Sequence, residues 1–114
     1  MAQVDSEELQ RRIALLKRSF KENLTQRLNE LNAALASIDA AAPLAGQPGV
    51  KSLLEHVHKI AGSAGTFGYM EMSNIAAEAE RLCDDVLKGR HASDAGAYGE
   101  LTAKVAAIHA EAAE

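Results

Sequence analysis

The stretch Val57-His58-Lys59-Ile60-Ala61-Gly62-Ser63-Ala64-Gly65-Thr66-Phe67-Gly68 holds the side chain best suited to chemistry in this sequence. An imidazole with an unperturbed pKa of about 6.5 is largely neutral at cellular pH and offers a nucleophilic nitrogen. It can attack a phosphoryl group without a strong partner base. Catalysis of such a transfer is mostly positioning and charge stabilisation. A chain that only presents the histidine can therefore leave the metal and the acidic pocket to its partner. On a helix, Gly62 and Gly65 follow His58 by four and seven residues and share its face. A glycine inside a helix costs about 1 kcal/mol relative to alanine, so two beside a histidine need a reason. They clear a path for another protein's backbone, or they let two helices of the same bundle pack closely. Spacing leaves both readings open. Lys59 is the nearest cation, about 100° around the helix from His58.

The other candidate groups read as structural. His56 points to nearly the opposite side of the helix from His58, and helical metal ligands prefer spacings of three or four. His91 falls in a loop and His109 near the C-terminus, both surface or rim positions. No metal set is expected. The glycines at 62, 65 and 68 follow a helix, whereas phosphate-cradling loops follow a strand. Cys83 is the single cysteine and lies in an apolar helical stripe, so a buried structural thiol is expected.

The elements that must position His58 are all helical. Leu9, Ile13, Leu16, Phe20, Leu24, Leu28, Leu31, Leu35 and Ile38 recur in steps of three and four, one continuous face. Ser6 is the expected N-cap, with Glu7 and Glu8 in the first turn. Ser19 and Glu22 have capping-box spacing, which predicts a first helix over 6–18 and a second over 20–38, with one unbroken helix as the alternative. Pro43, Gly46, Pro48 and Gly49 mark a loop. A helix over 50–66 follows, with Val50, Leu53, Leu54, Val57, Ile60, Ala61 and Ala64 on its apolar face, ended by Gly68 in a left-handed turn. Met72, Ile75, Ala76, Ala79, Leu82, Cys83 and Val86 predict a helix over 71–87, closed by Lys88-Gly89. Ser93 or Asp94 caps a final helix carrying Tyr98, Leu101, Val105 and Ile108. The expected fold is all-α: an antiparallel four-helix bundle with an additional short N-terminal helix. It forms one domain over residues 1–114, with the added helix in 1–18 and the core in 19–114.

Composition narrows the function. The chain has 114 residues, 47% hydrophobic and 25% charged, with two Pro and no Trp. That suits one soluble, helix-rich domain. A net charge of −4 argues against nucleic acid as the main partner. No apolar run is long enough to span a bilayer, and Met1–Glu8 has no basic region or apolar core of a secretory signal. A cytoplasmic location is expected, with no membrane association.

The segment His58, Gly62, Ser63, Ala64, Gly65, Phe67, Gly68 resembles the signature of histidine-containing phosphotransfer domains, and the resemblance extends over about 20–87. It implies an antiparallel four-helix bundle with a solvent-exposed phosphoacceptor, here His58. It also implies a role in a multistep two-component phosphorelay. A receiver-domain aspartate hands its phosphoryl group to the histidine, which passes it to another receiver. Such a chain is a phosphocarrier without kinase activity and holds no cofactor; Mg²⁺ belongs to the receiver. The implied partners are response-regulator receiver domains or a hybrid histidine kinase. Docking is expected on the face around His58, with Lys51, Leu54, Glu55, Lys59, Gly62 and Gly65, and with Tyr69 at the rim. The sequence departs from the family at Ala61, where a lysine usually assists the phosphate.

Two other readings compete. Leu9 to Ile38 is near-heptad over about four heptads and suits a coiled-coil dimerisation element. Its flanking positions show no consistent charge complement, and the later helices need this apolar face, so a monomer is expected. An enzyme in its own right, such as a histidine kinase fragment or a metal hydrolase, lacks an ATP-binding fold and a metal constellation. Kinase dimerisation helices also place an acidic residue directly after the histidine, where this chain has Lys59.

Overall fold

No glycine or proline interrupts the chain between Asp5 and Ala36, and nothing in that stretch stops a helix once begun. In the computed structural model, which describes residues 5–92 and 94–113, this segment forms one helix, α1, over Ser6–Ala36. The capping-box signal at Ser19 and Glu22 is overridden, because ending a helix there would orphan backbone groups for no compensating contact. The separate N-terminal helix expected over 6–18 is thus the first half of α1. The N-cap is Asp5 rather than Ser6; its Oδ1 accepts the Glu7 N–H at 3.1 Å.

Pro48, at the first position where a missing N–H is harmless, opens α2 over Pro48–Ala64. A short 3₁₀ turn over Gly65–Phe67 leads to Gly68, whose φ of 91° is the left-handed conformation expected of it. Helix α3 runs over Met70–Leu87, followed by Gly89 at φ 74°. Asp94 caps α4, over Ala95–Ala112, by accepting the Ala97 N–H at 3.1 Å; Ser93 lies outside the described residues. Among the described residues there are four α-helices and no strand, an all-α bundle.

Cross-helix contacts run in opposite orders along neighbouring helices, as antiparallel packing requires. Between α1 and α2, Gly49 lies against Ala34 and His56 against Glu30, and just past the end of α2 Phe67 lies against Phe20. Between α2 and α3, Ser73 bonds Ala61 and Glu80 bonds His58. The most extensive packing is α2 on α3, then α3 on α4, then α1 on α2. The core holds Leu24, Leu31, Leu53, Val57, Ile60, Met72, Ala79, Leu101 and Ile108, among others. A Cβ at Gly49 would stand 2.9 Å from Ile38 Cγ1 and 3.2 Å from the Ala34 carbonyl, so only glycine lets α2 begin this close to α1. Cys83 is buried as expected, and burial pushes its thiol up to about 12.

One stripe is not fully covered. Phe20, Leu24, Leu31 and Ile38 are buried, but Leu9, Ile13 and Leu16 are exposed. Helix α1 has 31 residues against 17 in α2 and 18 in α3, so its N-terminal half projects past the bundle. The buried part of the stripe packs on this chain's own helices, so the long coiled-coil reading loses most of its face. No helix among the described residues is long and apolar enough to cross a membrane.

Candidate functional site

Helix α2 turns Leu53, Val57, Ile60 and Ala64 into the core. His58, one residue past Val57, is rotated about 100° from that direction and emerges at the edge facing α3. Its side chain is 71% exposed. Helix α3 is built in the same way. Ala76, Ala79, Cys83 and Val86 point inward, and Glu80, one past Ala79, emerges at the facing edge. The two edges meet where His58 Nδ1 stands 2.7 Å from Glu80 Oε2. Ser73 Oγ donates to the Ala61 carbonyl at 2.7 Å and fixes the same pair of helices one turn further along.

A carboxylate can only accept, so the proton in this contact is on Nδ1. The neutral imidazole then carries its lone pair on Nε2. No hydrogen bond to Nε2 is present among the described residues. The result is an exposed, oriented nucleophile whose inner nitrogen is held by a carboxylate from another helix.

The dyad lies in an open groove of about 600 Å³, lined by Leu54, Glu55 and His58 from α2 and Ala77, Glu80, Arg81 and Asp84 from α3. Asp84 Oδ2 is engaged by Lys88 at 3.1 Å and Arg90 at 3.0 Å. Arg81 is the cation on the groove wall. Among the described residues no cluster of three or more His, Cys, Asp or Glu is placed to hold a metal ion.

The residues singled out from the sequence divide between several surfaces. Leu54 and Glu55 line the groove with His58. Lys51 is exposed on α2, two turns before His58. Lys59 opens on the other side of α2, among Asn23, Gln26, Arg27 and Glu30 of α1. Ala61 is half-buried against the core. Tyr69 is half-buried too, its ring centroid 5.5 Å from that of Phe20, which also stacks on Phe67 at 4.6 Å. The two glycines serve different ends. A Cβ at Gly62 would meet nothing within 4 Å, so packing within this chain does not require a glycine there. A Cβ at Gly65 would lie 3.4 Å from Met70 Sδ and 3.5 Å from Ser73 Oγ, so that position is packing against α3. Gly62→Ala is therefore expected to stabilise the fold by about 0.5–1 kcal/mol, the helical penalty of glycine, read by chemical denaturation. A loss of stability would mean that Gly62 is also a packing residue.

The other histidines have local partners. His56 is mostly buried, its Nδ1 3.2 Å from Glu30 Oε2 but off-line for a hydrogen bond. His91 Nδ1 contacts the Ala92 carbonyl at 2.9 Å, which holds its pKa above the usual value. His109 Nε2 contacts Asn32 Oδ1 at 2.9 Å and ties α4 to α1.

Glu80 and Arg81 are among the groove residues that the sequence reading missed. Neither belongs to the motif around His58, and only the antiparallel pairing of α2 with α3 brings them to it. A signal was present: Glu80 follows Ala79 as His58 follows Val57, a polar residue one step past a buried one on each of two adjacent helices.

The family model for the Hpt domain matches residues 15–111. No curated protein and no solved structure matches the chain.

Proposed function

Since the chain belongs to the Hpt domain family, we propose that His58 accepts a phosphoryl group from the aspartate of one receiver domain and delivers it to the aspartate of another. Family membership makes the chain a histidine phosphotransfer module of phosphorelay signalling, a phosphocarrier rather than a kinase. The assignment of the acceptor to His58 rests above all on one contact. Glu80 holds Nδ1 at 2.7 Å while the rest of the ring is open to solvent.

In the forward step, Nε2 attacks the phosphorus of an aspartyl phosphate. The N–P bond forms as the P–O bond to the aspartate breaks, and the aspartate leaves as a carboxylate. The ring keeps its Nδ1 proton and becomes cationic. Glu80, as the hydrogen-bonded acceptor, offsets that charge. The return step reverses these bonds on a second aspartate. No proton has to leave the ring in either direction, so the site needs no general base.

The phosphoryl group adds negative charge to a groove that already holds Glu55 and Glu80. Arg81, on the same wall, is placed to offset it, the task that a lysine at position 61 performs elsewhere in the family. Arg81→Gln is expected to slow transfer severalfold and leave the melting temperature unchanged. The residue is exposed, and surface substitutions shift stability by less than about 0.5 kcal/mol. Equal rates for Arg81→Gln and wild type would remove it from the site. Docking of the receiver is assigned to the open face carrying Lys51, Leu54, Glu55 and Gly62, which surrounds His58 on α2. The test of the relay itself uses two receivers and no kinase. Label loaded on the first receiver should reach the second only when this domain is added. Label that stops on the domain, with every receiver tried, would leave a phosphate sink and not a relay.

A further inference from the structure

The N-terminal half of α1 is unlike the rest of the molecule, and its properties are independent of the phosphotransfer reading. Residues 5–19 are all exposed. Leu9, Ile13 and Leu16 keep 49%, 43% and 58% of their surface open, although they continue the stripe that Phe20 and Leu24 bury in the core. At about 1.5 Å per residue this projection extends roughly 20 Å beyond the bundle. The long dimension of the molecule is 61 Å against 23 and 20 Å across.

Because the exposed stripe continues the buried one, it faces the side on which α2 lies. There it overhangs the end of the bundle, where Leu16 borders Phe20, Ser63 and Phe67. Projection and bundle end thus enclose a notch. A flat surface such as a bilayer cannot reach the stripe, because the bundle projects on the same side. A single helix can. A second copy related by a two-fold axis fits best: each projection enters the other's notch, and the two stripes meet antiparallel, each tip approaching the other's bundle end.

Charge selects the same arrangement. Asp5, Glu7 and Glu8 make the tip acidic, whereas Arg11, Arg12, Lys17, Arg18 and Lys21 follow with no acid between Leu9 and Lys21. Parallel pairing would set like charge beside like along the whole projection. Antiparallel pairing sets the acidic tip of each copy level with the Lys17–Lys21 stretch of the other and opposes the two helix dipoles. Arg12, near the centre, is already bonded to Glu8 of its own helix at 2.8 Å. We infer that the projecting half of α1 is a self-association surface, on which two copies of this chain pair antiparallel about an axis near Ile13, with Leu9 of each against Leu16 of the other. The expectation of a monomer rests on the flanking charges of a long coiled coil and on the later helices' need for the same face, and a short antiparallel pair of projections, which those helices leave uncovered, escapes both objections.

Sedimentation equilibrium on the whole chain, across the micromolar range, tests this. Wild type should reach a monomer–dimer equilibrium, and Leu9→Glu and Ile13→Glu should each be monomeric at the same concentrations. Both should keep the melting temperature that wild type shows at concentrations where it is monomeric, because the stripe lies outside the bundle. Orientation is read by oxidising an equimolar mixture of Leu9→Cys and Leu16→Cys chains. The mixed disulfide should dominate, and Cys83 stays silent because it is buried. A monomer at every concentration, a dimer indifferent to the glutamates, or a product dominated by Leu9–Leu9 disulfides would each overturn the inference.

Discussion

Replacing His58 by glutamine should reduce phosphoryl acceptance to background and leave the bundle intact. The side chain is 71% exposed and makes one side-chain contact across helices, so its removal opens no cavity. Surface changes of this kind shift stability by about 0.5 kcal/mol or less, with the loss of one exposed hydrogen bond adding about as much again. Glutamine fills similar space but offers no nucleophilic nitrogen. The informative control is His56→Gln. His56 is two residues away but mostly buried between α2 and α1, beside Glu30. That variant should lose some stability, because a buried residue is disturbed, and should still accept label. Measured together, the two variants separate chemistry from folding. His58→Gln keeps its melting temperature and loses transfer; His56→Gln does the opposite.

The second large effect is expected at Glu80. Glu80→Gln keeps the size of the side chain but removes its charge and its fixed role as acceptor. The amide can donate to Nδ1, which moves the ring proton to Nε2 and occupies the attacking lone pair. The cationic ring formed during transfer also loses its counter-charge. A charge-assisted hydrogen bond contributes about 1.5–3 kcal/mol, and about 1.4 kcal/mol corresponds to tenfold in rate. Transfer from a saturating receiver should therefore slow by roughly 10–100-fold. The apparent affinity for the receiver should change little, because the contact is to the ring and not to the partner. Rapid-quench measurement of the rate constant and its half-saturation concentration separates the two. An unchanged rate with a lowered melting temperature would reduce Glu80 to a strut between α2 and α3.

The histidine was legible in the sequence because everything that marks it is local. His58, Gly62 and the turn at Gly68 lie within eleven residues of one another on one helix and its end. Helical periodicity likewise located α2, α3 and α4 and most of their buried faces, and the cap of α4 was narrowed to Ser93 or Asp94. The expected break between 6–18 and 20–38 fails because a local signal was used for a non-local outcome. Ser19 and Glu22 have capping spacing, but no glycine, proline or β-branched run makes the chain leave the helix there. The apolar residues from Leu9 to Ile38 form one continuous face, but such a face is core only where another element covers it. The punctuation at Pro48 and at Gly65–Gly68 already limited α2 to about five turns, too few to cover a helix of more than eight. Glu80 was invisible for the same reason. It stands 22 residues from His58, and only the docking of α3 on α2 brings it within 2.7 Å. Lys59 shows the converse. It is adjacent to His58 in sequence, but the helical turn places it on the α1 side, apart from the groove.

In the proposed transfer, Nε2 of His58 is the atom that accepts the phosphoryl group. Incubation with a phosphorylated receiver, followed by peptide mapping and ³¹P–¹⁵N NMR of the labelled chain, tests it directly. The expected product is an acid-labile, base-stable phosphoramidate at residue 58, bonded through Nε2, with the Nδ1 proton retained. A phosphoryl group on Nδ1, on His56 or on any other side chain would contradict it.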